Sequence, residues 1–501
     1  MTAPRLIRLR DEDNVAIVLA DIAPGETLDG GLTAAEAIPR GHKVALTDIA
    51  KGMPIRKLGQ TIGLAGADIA TGAHVHVHNI DASESPQAVA AAGNAFTDTP
   101  DRTVFSGYRR ADGRIGTRNC IGVVATVNCS ATVVREIVAR SRAALPAGSG
   151  VDAIVPITHA TGCGMASGGA GIRLLQRTLR GFIGQPNFAG VLVVGLGCEG
   201  NDLASLLDGI PTGPGERVRA LGIQQAGGTR ATIDEGCRQV AELAELANAA
   251  RREEVPVSAL TLGLQCGGSD AFSAVTANPA LGYAADLLVK AGGTVILAET
   301  PEIHGAEGLL LHRATSDDVA DALNARIEWW QDYVARNGAS LNNNPSPGNM
   351  AGGISTIYEK SLGAVAKGGT SPLAGVFDYG QRIDRHGFVF MDSPGYDPCS
   401  VTGEIASGAT LVCFTTGRGS VFGAKPVPSV KLATNSAMAK HMADDIDFDC
   451  GRILDGELSL AEAGRHIYTL LLDVASGTPS ASERNGLGDF EFVPWQIGAV
   501  L

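Results

Sequence analysis

Four apolar runs in this chain each end in a cysteine, and they constrain the fold more than any other sequence feature. They occupy residues 121–129, 153–163, 190–198 and 259–266, ending at Cys129, Cys163, Cys198 and Cys266. Uninterrupted apolar runs rich in β-branched residues are typical of parallel strands that are buried on both faces. Longer amphipathic stretches, such as 130–142 and 235–252, alternate with such runs. This alternation predicts an α/β fold with parallel sheets and helical crossovers.

The texture of the sequence changes along the chain and suggests four segments. Residues 1–82 contain short strand-like stretches, including the alternating HVHVH at 74–78, and predict a small all-β module. Residues 83–105 lack periodicity and are interpreted as a linker. Residues 106–250 and 251–501 carry the α/β rhythm. The Pro- and Gly-rich interval 342–372 shows little regular pattern, and a connection of that length is often functional.

The four cysteines predict a metal site. Ligands of open parallel sheets bind beyond the carboxyl ends of the strands, so four strand-end thiols would meet at one edge. Soft thiolates favour an iron–sulfur cluster, iron or zinc. The spacings of 34, 35 and 68 residues match no CxxC motif, so the thiols would converge only in the folded chain. The alternative is that cysteine is simply a small buried side chain, which we accept for Cys120, Cys237, Cys413 and Cys450.

Charge and composition exclude several classes of protein. The formal net charge is −13 and no run of Lys and Arg occurs, which argues against a nucleic-acid partner. No apolar stretch is long enough for a signal peptide or a membrane span. We therefore expect a cytoplasmic protein without a membrane partner. Glycine is abundant, at 65 of 501 residues, which suits an enzyme with many tight loops.

Nine short motifs, in order along almost the whole chain, resemble those of the altronate and galactarate dehydratases. They are RGHKVALTDIAKG at 40–52, GAHVHVHN at 72–79, YRRADGRIGTRN at 108–119, GLGCE at 195–199, QCGGSD at 265–270, NPSPGN at 344–349, EKSLG at 359–363, TGRG at 416–419 and KLATNS at 431–436.

The resemblance implies an architecture and an activity. The architecture is an N-terminal SAF-type β-clip domain, a middle α/β domain and a Rossmann-like C-terminal domain, assembled as a homodimer. The activity is that of a hydro-lyase, which dehydrates an aldonate or aldarate to a 2-keto-3-deoxy acid under reducing conditions. The implied cofactor is Fe²⁺, with Mn²⁺ as a substitute; an iron–sulfur cluster with an open iron position is the competing interpretation of the cysteines.

Dehydration of a 2,3-dihydroxy acid needs a base for the C2 proton and help for the departing C3 hydroxide. The first candidates are histidines of the β module: His42, His76 and His78, with His74 as their neighbour. In a strand, residues 74, 76 and 78 would share one face at about 6.6–6.8 Å spacing. The alternative is a solvated polar face. His159, four residues before Cys163, and Lys360 are the remaining candidates; a lysine would need a pKa lowered by burial.

A polyol acid also needs cationic and amide groups to hold it. The candidates are Arg118, Asn119, Ser269, Asp270, Asn349, Arg418, Lys431 and Asn435. Arginine pairs with a carboxylate through two hydrogen bonds. Glycines on both sides of Arg418 would allow close backbone approach. Glu299, Glu302 and Glu307, which follow another strand-like run, are interpreted either as ligands of a hard cation or as an acidic helix N-terminus.

Three rival functions are considered. A dinucleotide-dependent dehydrogenase would need GxGxxG after the first strand of a βαβ unit, and GLGC at 195–198 is only a partial match. A related lyase acting on another 2-hydroxy acid, or a non-enzymatic iron- or redox-sensing protein, is the remaining alternative. The second of these predicts no turnover of any sugar acid.

Overall fold

The computed structural model of the chain describes residues 5–82 and 96–501. The predicted linker therefore lies largely outside the described residues. Its described part, from Phe96 onward, is coil up to the strand that begins at Val104, and Phe96 packs edge-on against Tyr283. Within the described residues, no helix combines the length and apolarity needed to cross a bilayer.

The N-terminal part is the all-β module expected from the sequence. It contains two small antiparallel sheets with strand orders β1-β2-β3-β6 and β4-β5-β7. Apolar side chains such as Val18, Ile22 and Val44 fill the space beneath the first sheet. The strands are β1 (Leu6–Ile7), β2 (Val15–Val18), β3 (Lys43–Ala45), β4 (Pro54–Lys57), β5 (Gln60–Ala65), β6 (His74–Val75) and β7 (Ile80–Asp81).

The predicted strand over residues 74–78 is wrong. The strand ends at Val75, and residues 76–79 form a turn. The Asn79 side chain accepts a hydrogen bond from the His76 amide at 2.9 Å and donates one to the His74 carbonyl at 2.9 Å. Side-chain bonds of this kind compete with the strand ladder. As a result His76 is buried and His78 is exposed, so the three histidines do not share one strand face.

The middle part is a four-stranded parallel sheet, of order β11-β10-β12-β13, covered by helices. A second, antiparallel sheet of order β14-β8-β9 lies beside it. The elements are β8 (Val104–Arg109), β9 (Ile115–Gly116), β10 (Cys120–Ala125), α1 (Ala131–Ala144), β11 (Ile154–Ile157), α2 (Ala170–Ile183), β12 (Phe188–Gly195), α3 (Leu203–Leu206), β13 (Val218–Gly222), α4 (Thr229–Ala249) and β14 (Arg252–Pro256).

The C-terminal part is built on a seven-stranded parallel sheet of order β17-β18-β16-β15-β19-β20-β21. Its central strands are completely buried, which explains their continuous apolar sequences. The elements are β15 (Thr261–Cys266), α5 (Ala277–Lys290), β16 (Thr294–Leu297), α6 (Glu307–Leu311), α7 (Asp317–Arg336), α8 (Pro347–Ala351), α9 (Ile357–Ala366), β17 (Leu373–Phe377), β18 (Gly387–Met391), α10 (Asp397–Ser407), β19 (Leu411–Thr416), β20 (Ser429–Ala433), α11 (Ser436–His441), β21 (Phe448–Asp449), α12 (Leu460–Ala475) and α13 (Ala481–Arg484).

The interval 342–372 is more regular than its sequence indicated, because it contains α8 and α9. Helix α9 begins after Thr356, whose hydroxyl accepts a hydrogen bond from the Glu359 amide at 3.2 Å. The same hydroxyl donates to the Ile62 carbonyl of the N-terminal module at 2.6 Å. The start of α9 is thus a docking point for the first domain.

A buried ion triad also joins the N-terminal module to α9. Glu359 accepts hydrogen bonds from Lys57 at 2.7 Å and from Lys43 at 2.9 Å, and all three side chains are nearly inaccessible to solvent. Beside the triad, a Cβ on Gly353 would lie 2.3 Å from the Gly41 carbonyl oxygen, so only glycine allows the two backbones to meet here. The module is therefore anchored to the C-terminal part by buried contacts.

Glu404 makes the stability of the fold depend on pH. This α10 residue is fully buried against β15, and burial raises the pKa of its carboxyl group to about 8. The unfolded chain loses that proton near the ordinary pKa, so the free energy of unfolding falls as pH rises from about 4.5 to about 8. In Glu404→Gln, we expect the free energy of unfolding to fall by a few kcal/mol less over this pH range than it does in the wild type. Urea unfolding of both proteins at pH 5 and pH 8 measures it, and equal pH dependence in both would contradict the assignment.

Candidate active site

The carboxyl ends of β15 and β16 bring one thiol and two carboxyl groups together. Cys266 is the last residue of β15, and Glu299 and Glu302 follow β16, its neighbour in the sheet. The Cys266 Sγ lies 3.7 Å from Glu302 Oε2. Ligand atoms of all three residues lie within 4.8 Å of one another, and all three residues are buried. We call these residues the acidic cluster.

Two lysines contact the acidic cluster. Lys360 Nζ, from α9, donates to Glu302 Oε1 at 2.6 Å. Lys367 Nζ, just after α9, lies 3.0 Å from Cys266 Sγ and 3.9 Å from Glu299 Oε2. Both ammonium groups are buried. The acidic cluster is therefore already balanced by positive charge from α9.

Glu299 combines backbone strain with a carboxyl group that has no hydrogen bond. Its φ of 75° and ψ of 70° place it in the left-handed region, which is rare for a residue with a long side chain. The Ser393 hydroxyl accepts from the Glu299 amide at 3.0 Å and helps to hold this conformation. Neither carboxyl oxygen has a hydrogen-bond partner, although both are buried. Strain of this kind is concentrated at functional sites.

The pKa values of the two glutamates are shifted in opposite directions. Burial, and then the charge of Glu302, raise the pKa of Glu299 well above its ordinary value. Burial would also raise the pKa of Glu302, but Lys360 and Lys367 outweigh it and the pKa is lowered. Asp397, at the start of α10, has a pKa raised to about 6 by burial and by Glu302. The pKa of Glu299 is therefore higher than that of Glu302, so Glu299 is the carboxyl group of the pair that holds its proton to higher pH.

Three histidines of the N-terminal module form a second cluster. His42 Nδ1 lies 2.9 Å from His74 Nε2, and the rings of His42 and His76 are 4.5 Å apart. Ligand nitrogens of the three residues lie within 4.8 Å of one another. The Ser355 hydroxyl is 3.1 Å from His76 Nδ1, which leaves the other nitrogen of that ring available. We call these residues the histidine cluster.

Burial, and then nearby charges, favour the neutral form of the rings in the histidine cluster. Burial lowers the pKa of His42, His74 and His76, to about 4 for His74 and about 3 for His76. Lys43 lowers all three further. Burial lowers the pKa of Lys43 itself to about 8, although Glu359 opposes this. Neutral imidazole is the form that binds a metal ion.

The segment 341–356 connects the two clusters. Asn344 donates to Glu302 Oε1 at 2.9 Å, while the Ala351 carbonyl lies 3.4 Å from His42 Nε2 and Ser355 contacts His76. On α9, Glu359 faces the N-terminal lysines and its neighbour Lys360 faces the acidic cluster. A cavity of about 10 Å³ lies here, and its lining includes Lys57, Cys266, Asp270, Glu359 and Lys360.

The four strand-end cysteines do not share one site. Cys129, Cys163 and Cys198 follow β10, β11 and β12 of the middle sheet and are exposed, whereas Cys266 is buried in the seven-stranded sheet. Within the described residues, the only groups of metal-binding atoms within 4.8 Å are the acidic and histidine clusters. The described residues therefore do not bring the four thiols together in one such group. Two separate sheets cannot be recognised from strand sequences that look alike.

The proposed bases are placed unevenly. His42 and His76 lie in the histidine cluster, whereas the ring of exposed His78 is tilted against that of His74, with the ring centres 5.2 Å apart. His159 is buried, with Nε2 3.1 Å from the Ala125 carbonyl and Nδ1 3.0 Å from the Thr161 hydroxyl, so its partners are structural. Lys360 lies in the site, but Glu302 raises its pKa despite burial. This raised pKa argues against the predicted role of Lys360 as a base.

Three predicted substrate-binding residues have structural partners far from both clusters. The Arg118 guanidinium is paired with Glu483 at 2.6 and 2.8 Å and with backbone carbonyls. Asn119 donates to the Gly150 and Ala247 carbonyls. Lys431 is buried and donates to the Phe422 carbonyl at 3.2 Å. These groups hold chain segments together, so their predicted roles in substrate binding are not supported.

The other predicted substrate-binding residues surround the loop after Cys266, where they bind mainly one another. Asn349 donates to the Ser269 carbonyl at 2.9 Å, and Asn435 lies 3.3 Å from Asp270 Oδ2. Asp270 also accepts from the Thr434 hydroxyl. Arg418 is exposed, and its backbone amide donates to the Gly268 carbonyl at 2.9 Å. Of this set, Arg418 has a side chain at the surface beside the site.

Several residues of the site were not selected from the sequence. Glu299 and Glu302 were recognised as candidates with an equally good structural explanation, whereas Lys367, Glu359 and Asp397 were missed. The pattern Thr356-x-x-Glu359 before an apolar run is a helix-start signal and could have located α9. Nothing in the local sequence indicates that Lys367 reaches β15.

Comparison with known protein families shows which family the chain belongs to. Three domain descriptions match: "Altronate/galactarate dehydratase SAF domain" at residues 4–83, "D-galactarate dehydratase/Altronate hydrolase, second domain" at 107–248, and "D-galactarate/Altronate dehydratase, C-terminal" at 257–500. They define an α/β hydro-lyase with an N-terminal SAF domain.

Relatives over nearly the full length agree. The chain is 35% identical to an altronate dehydratase of Bacillus subtilis (strain 168), with 96% of each chain covered. It is 36% identical to an altronate dehydratase of Escherichia coli (strain K12), covering 96% of this chain and 97% of that one. It is 37% identical to a galactarate dehydratase (L-threo-forming) of the same strain, covering 94% and 92%. The chain belongs to the altronate/galactarate dehydratase family, which confirms the resemblance seen in its motifs.

Proposed function

We propose that this chain dehydrates a sugar acid, an aldonate or aldarate of the altronate or galactarate kind, to a 2-keto-3-deoxy acid. Relatives that carry these names align along nearly the whole chain. The observation that carries the proposal is the buried pair Glu299 and Glu302, whose pKa values are shifted in opposite directions although their ligand atoms lie within 4.8 Å. Two carboxyl groups with pKa values driven apart are the signature of an acid and a base.

In the proposed reaction each glutamate has one task. Ionised Glu302 accepts the proton from C2, and protonated Glu299 donates its proton to the hydroxyl leaving from C3. The electron pair of the C2–H bond becomes the C2–C3 double bond, and water departs. The resulting enol takes up a proton at C3 and releases the proton of its C2 hydroxyl, which gives the keto acid. Lys360 and Lys367 lie where they can hold the substrate carboxylate and stabilise the charge that develops on it.

The histidine cluster fits the Fe²⁺ that the family resemblance implies. Its three imidazoles are neutral, their nitrogens converge, and Ser355 fixes the orientation of His76. The acidic cluster fits a metal ion less well, because the ammonium groups of Lys360 and Lys367 already neutralise its negative charge. His42, His74 and His76 would hold the ion, and when bound it would supply Lewis acidity for the dehydration.

We place the substrate site at the small cavity beside the acidic cluster. About 10 Å³ is too small for a six-carbon acid, whose site requires a few hundred Å³. The cavity lies where the N-terminal module, the segment 341–356 and the loop after Cys266 meet. Binding therefore requires these parts to separate, and exposed Arg418, whose backbone amide contacts the loop after Cys266, is placed to attract the anionic substrate.

An anaerobic assay of the iron-loaded protein against five- and six-carbon aldonates and aldarates tests this proposal. We expect a 2-keto-3-deoxy acid from at least one of them, detected as the free keto acid. The matched control is the same acid without its C3 hydroxyl, which cannot lose water and should remain unchanged. Absence of product from every acid, with iron content verified, would refute the proposed activity. Comparison of mono- and dicarboxylates identifies the substrate class.

A further inference from the structure

Three exposed cysteines of the middle domain form a separate feature that the proposed reaction does not use. Cys129, Cys163 and Cys198 follow β10, β11 and β12, which are adjacent strands of one parallel sheet. Cysteine is among the most frequently buried residues, and Cys120, Cys399, Cys413 and Cys450 of this chain follow that rule. Three exposed thiols at one sheet edge are therefore unusual.

The loops that carry the three thiols are locked to one another. The Asn128 amide donates to the Thr161 carbonyl at 2.9 Å, and the Asn201 amide donates to the Gly162 carbonyl at 3.0 Å. The Asn201 side chain also donates to the Thr126 carbonyl at 2.8 Å. These contacts join residues next to or near each cysteine, so the relative positions of the three loops are fixed.

A buried carboxylate and a tight glycine strengthen this arrangement. Glu199 accepts from the Thr126 hydroxyl at 2.6 Å and from the Gly197 amide at 2.6 Å, which joins the loops after β10 and β12. A Cβ on Gly162 would lie 2.5 Å from the Thr126 carbonyl oxygen, and the φ of Gly162 is 101°. Only glycine permits this approach. Glu199 and Gly162 therefore both help to hold the loops close together.

We infer that Cys129, Cys163 and Cys198 bind an iron–sulfur cluster at the carboxyl edge of the middle sheet. Soft thiolates in a reducing environment select zinc or iron–sulfur clusters. Around one tetrahedral ion, with bonds of about 2.3 Å, thiolate sulfurs lie about 3.8 Å apart. The three thiols do not form a group within 4.8 Å in the described residues. A cluster bound through a different iron by each thiolate suits wider spacing than a single ion does.

Three protein thiolates leave one iron of a four-iron cluster without a protein ligand. The thiols are exposed, so an oxygen of a small hydroxy acid or of solvent can reach that iron. The Gln224 side-chain amide, 3.5 Å from Cys198 Sγ, is placed to donate a hydrogen bond to a sulfur of the site. Such hydrogen bonds tune clusters. This site is distinct from the acidic and histidine clusters, which belong to other domains.

Anaerobic reconstitution of the full-length protein with Fe²⁺ and sulfide tests the inference. We expect the protein to bind acid-labile sulfide in an amount equal to the iron bound in the cluster. We also expect a broad visible absorption band and the Mössbauer signal of an iron–sulfur cluster. The triple variant Cys129→Ser, Cys163→Ser, Cys198→Ser should lose all three signals. Cys237→Ser, in the same domain but on α4, should keep them. Circular dichroism and thermal melting establish that the variants are folded.

The outcomes separate this inference from the proposed activity. Iron uptake without sulfide, binding of Zn²⁺ in place of a cluster, or a cluster retained by the folded triple variant would each overturn it. Sulfide content and Mössbauer spectra do not depend on sugar-acid turnover. A protein with a cluster but no dehydratase activity would support this inference while refuting the proposed function, and an active protein without a cluster would do the reverse.

Discussion

Glu299→Gln is expected to lower kcat by roughly 10²- to 10⁴-fold, because the variant cannot donate the proton that the departing hydroxide needs. Glutamine keeps the size of the side chain, so substrate binding and folding should change little. The wild-type enzyme should lose kcat/KM at high pH, as Glu299 with its raised pKa gives up its proton. Steady-state kinetics across pH on iron-loaded protein measures both effects.

Glu404→Gln is the matched control for Glu299→Gln. Both wild-type carboxyl groups are fully buried beside the seven-stranded sheet and have raised pKa values. Glu404 lies on α10 against the interior of β15, however, and takes no part in the acidic cluster. The control should retain activity. Comparable loss of kcat in both variants would mean that Glu299 is needed for packing, and near-wild-type kcat in Glu299→Gln would remove it from the reaction.

His76→Ala is expected to lower iron affinity by at least roughly 100-fold, the upper effect known for residues that merely support metal ligands. Turnover at limiting iron should fall in parallel, while the free energy of unfolding should fall by only about 1–3 kcal/mol. Iron content after dialysis, measured by elemental analysis, provides a readout that does not depend on activity. Excess Fe²⁺ should restore part of the turnover.

His78→Ala is the control, because His78 is two residues away, exposed and outside the histidine cluster. It should keep both iron and activity. Wild-type iron content and kinetics in His76→Ala would reduce the N-terminal module to a scaffold. Equal losses in the two variants would instead point to a general effect on the turn at residues 76–79.

Much of the fold could be predicted because it is encoded locally. The apolar runs that became β10, β12 and β15 have the composition of strands buried on both faces, and the amphipathic stretch 130–142 became α1. Period-2 alternation at residues 74–78 led to a wrong strand prediction, because the Asn79 side chain forms hydrogen bonds with the backbone of His74 and His76. A single side chain thus outweighed the hydrophobic pattern.

The site was harder to predict because it depends on pairing between distant segments. His42 and His76 could be chosen from residue type and motif, but their convergence requires the turn after β6. Lys367 and Cys266 are 101 positions apart and meet only when α9 packs on the sheet. The strained backbone of Glu299 leaves no mark in the sequence, since its neighbours form an ordinary strand and turn. The predicted homodimer remains a prediction.

The ion triad of Lys43, Lys57 and Glu359 limits how this enzyme can be dissected. A truncated protein without the N-terminal module would expose a carboxylate shaped for two ammonium groups, and the isolated module would retain two lysines without their counter-ion. Breaking a buried ion pair by removing one partner costs about 3–5 kcal/mol. Fragments cut at this junction would misreport the role of the module, so point substitutions in the intact polypeptide are the sounder approach.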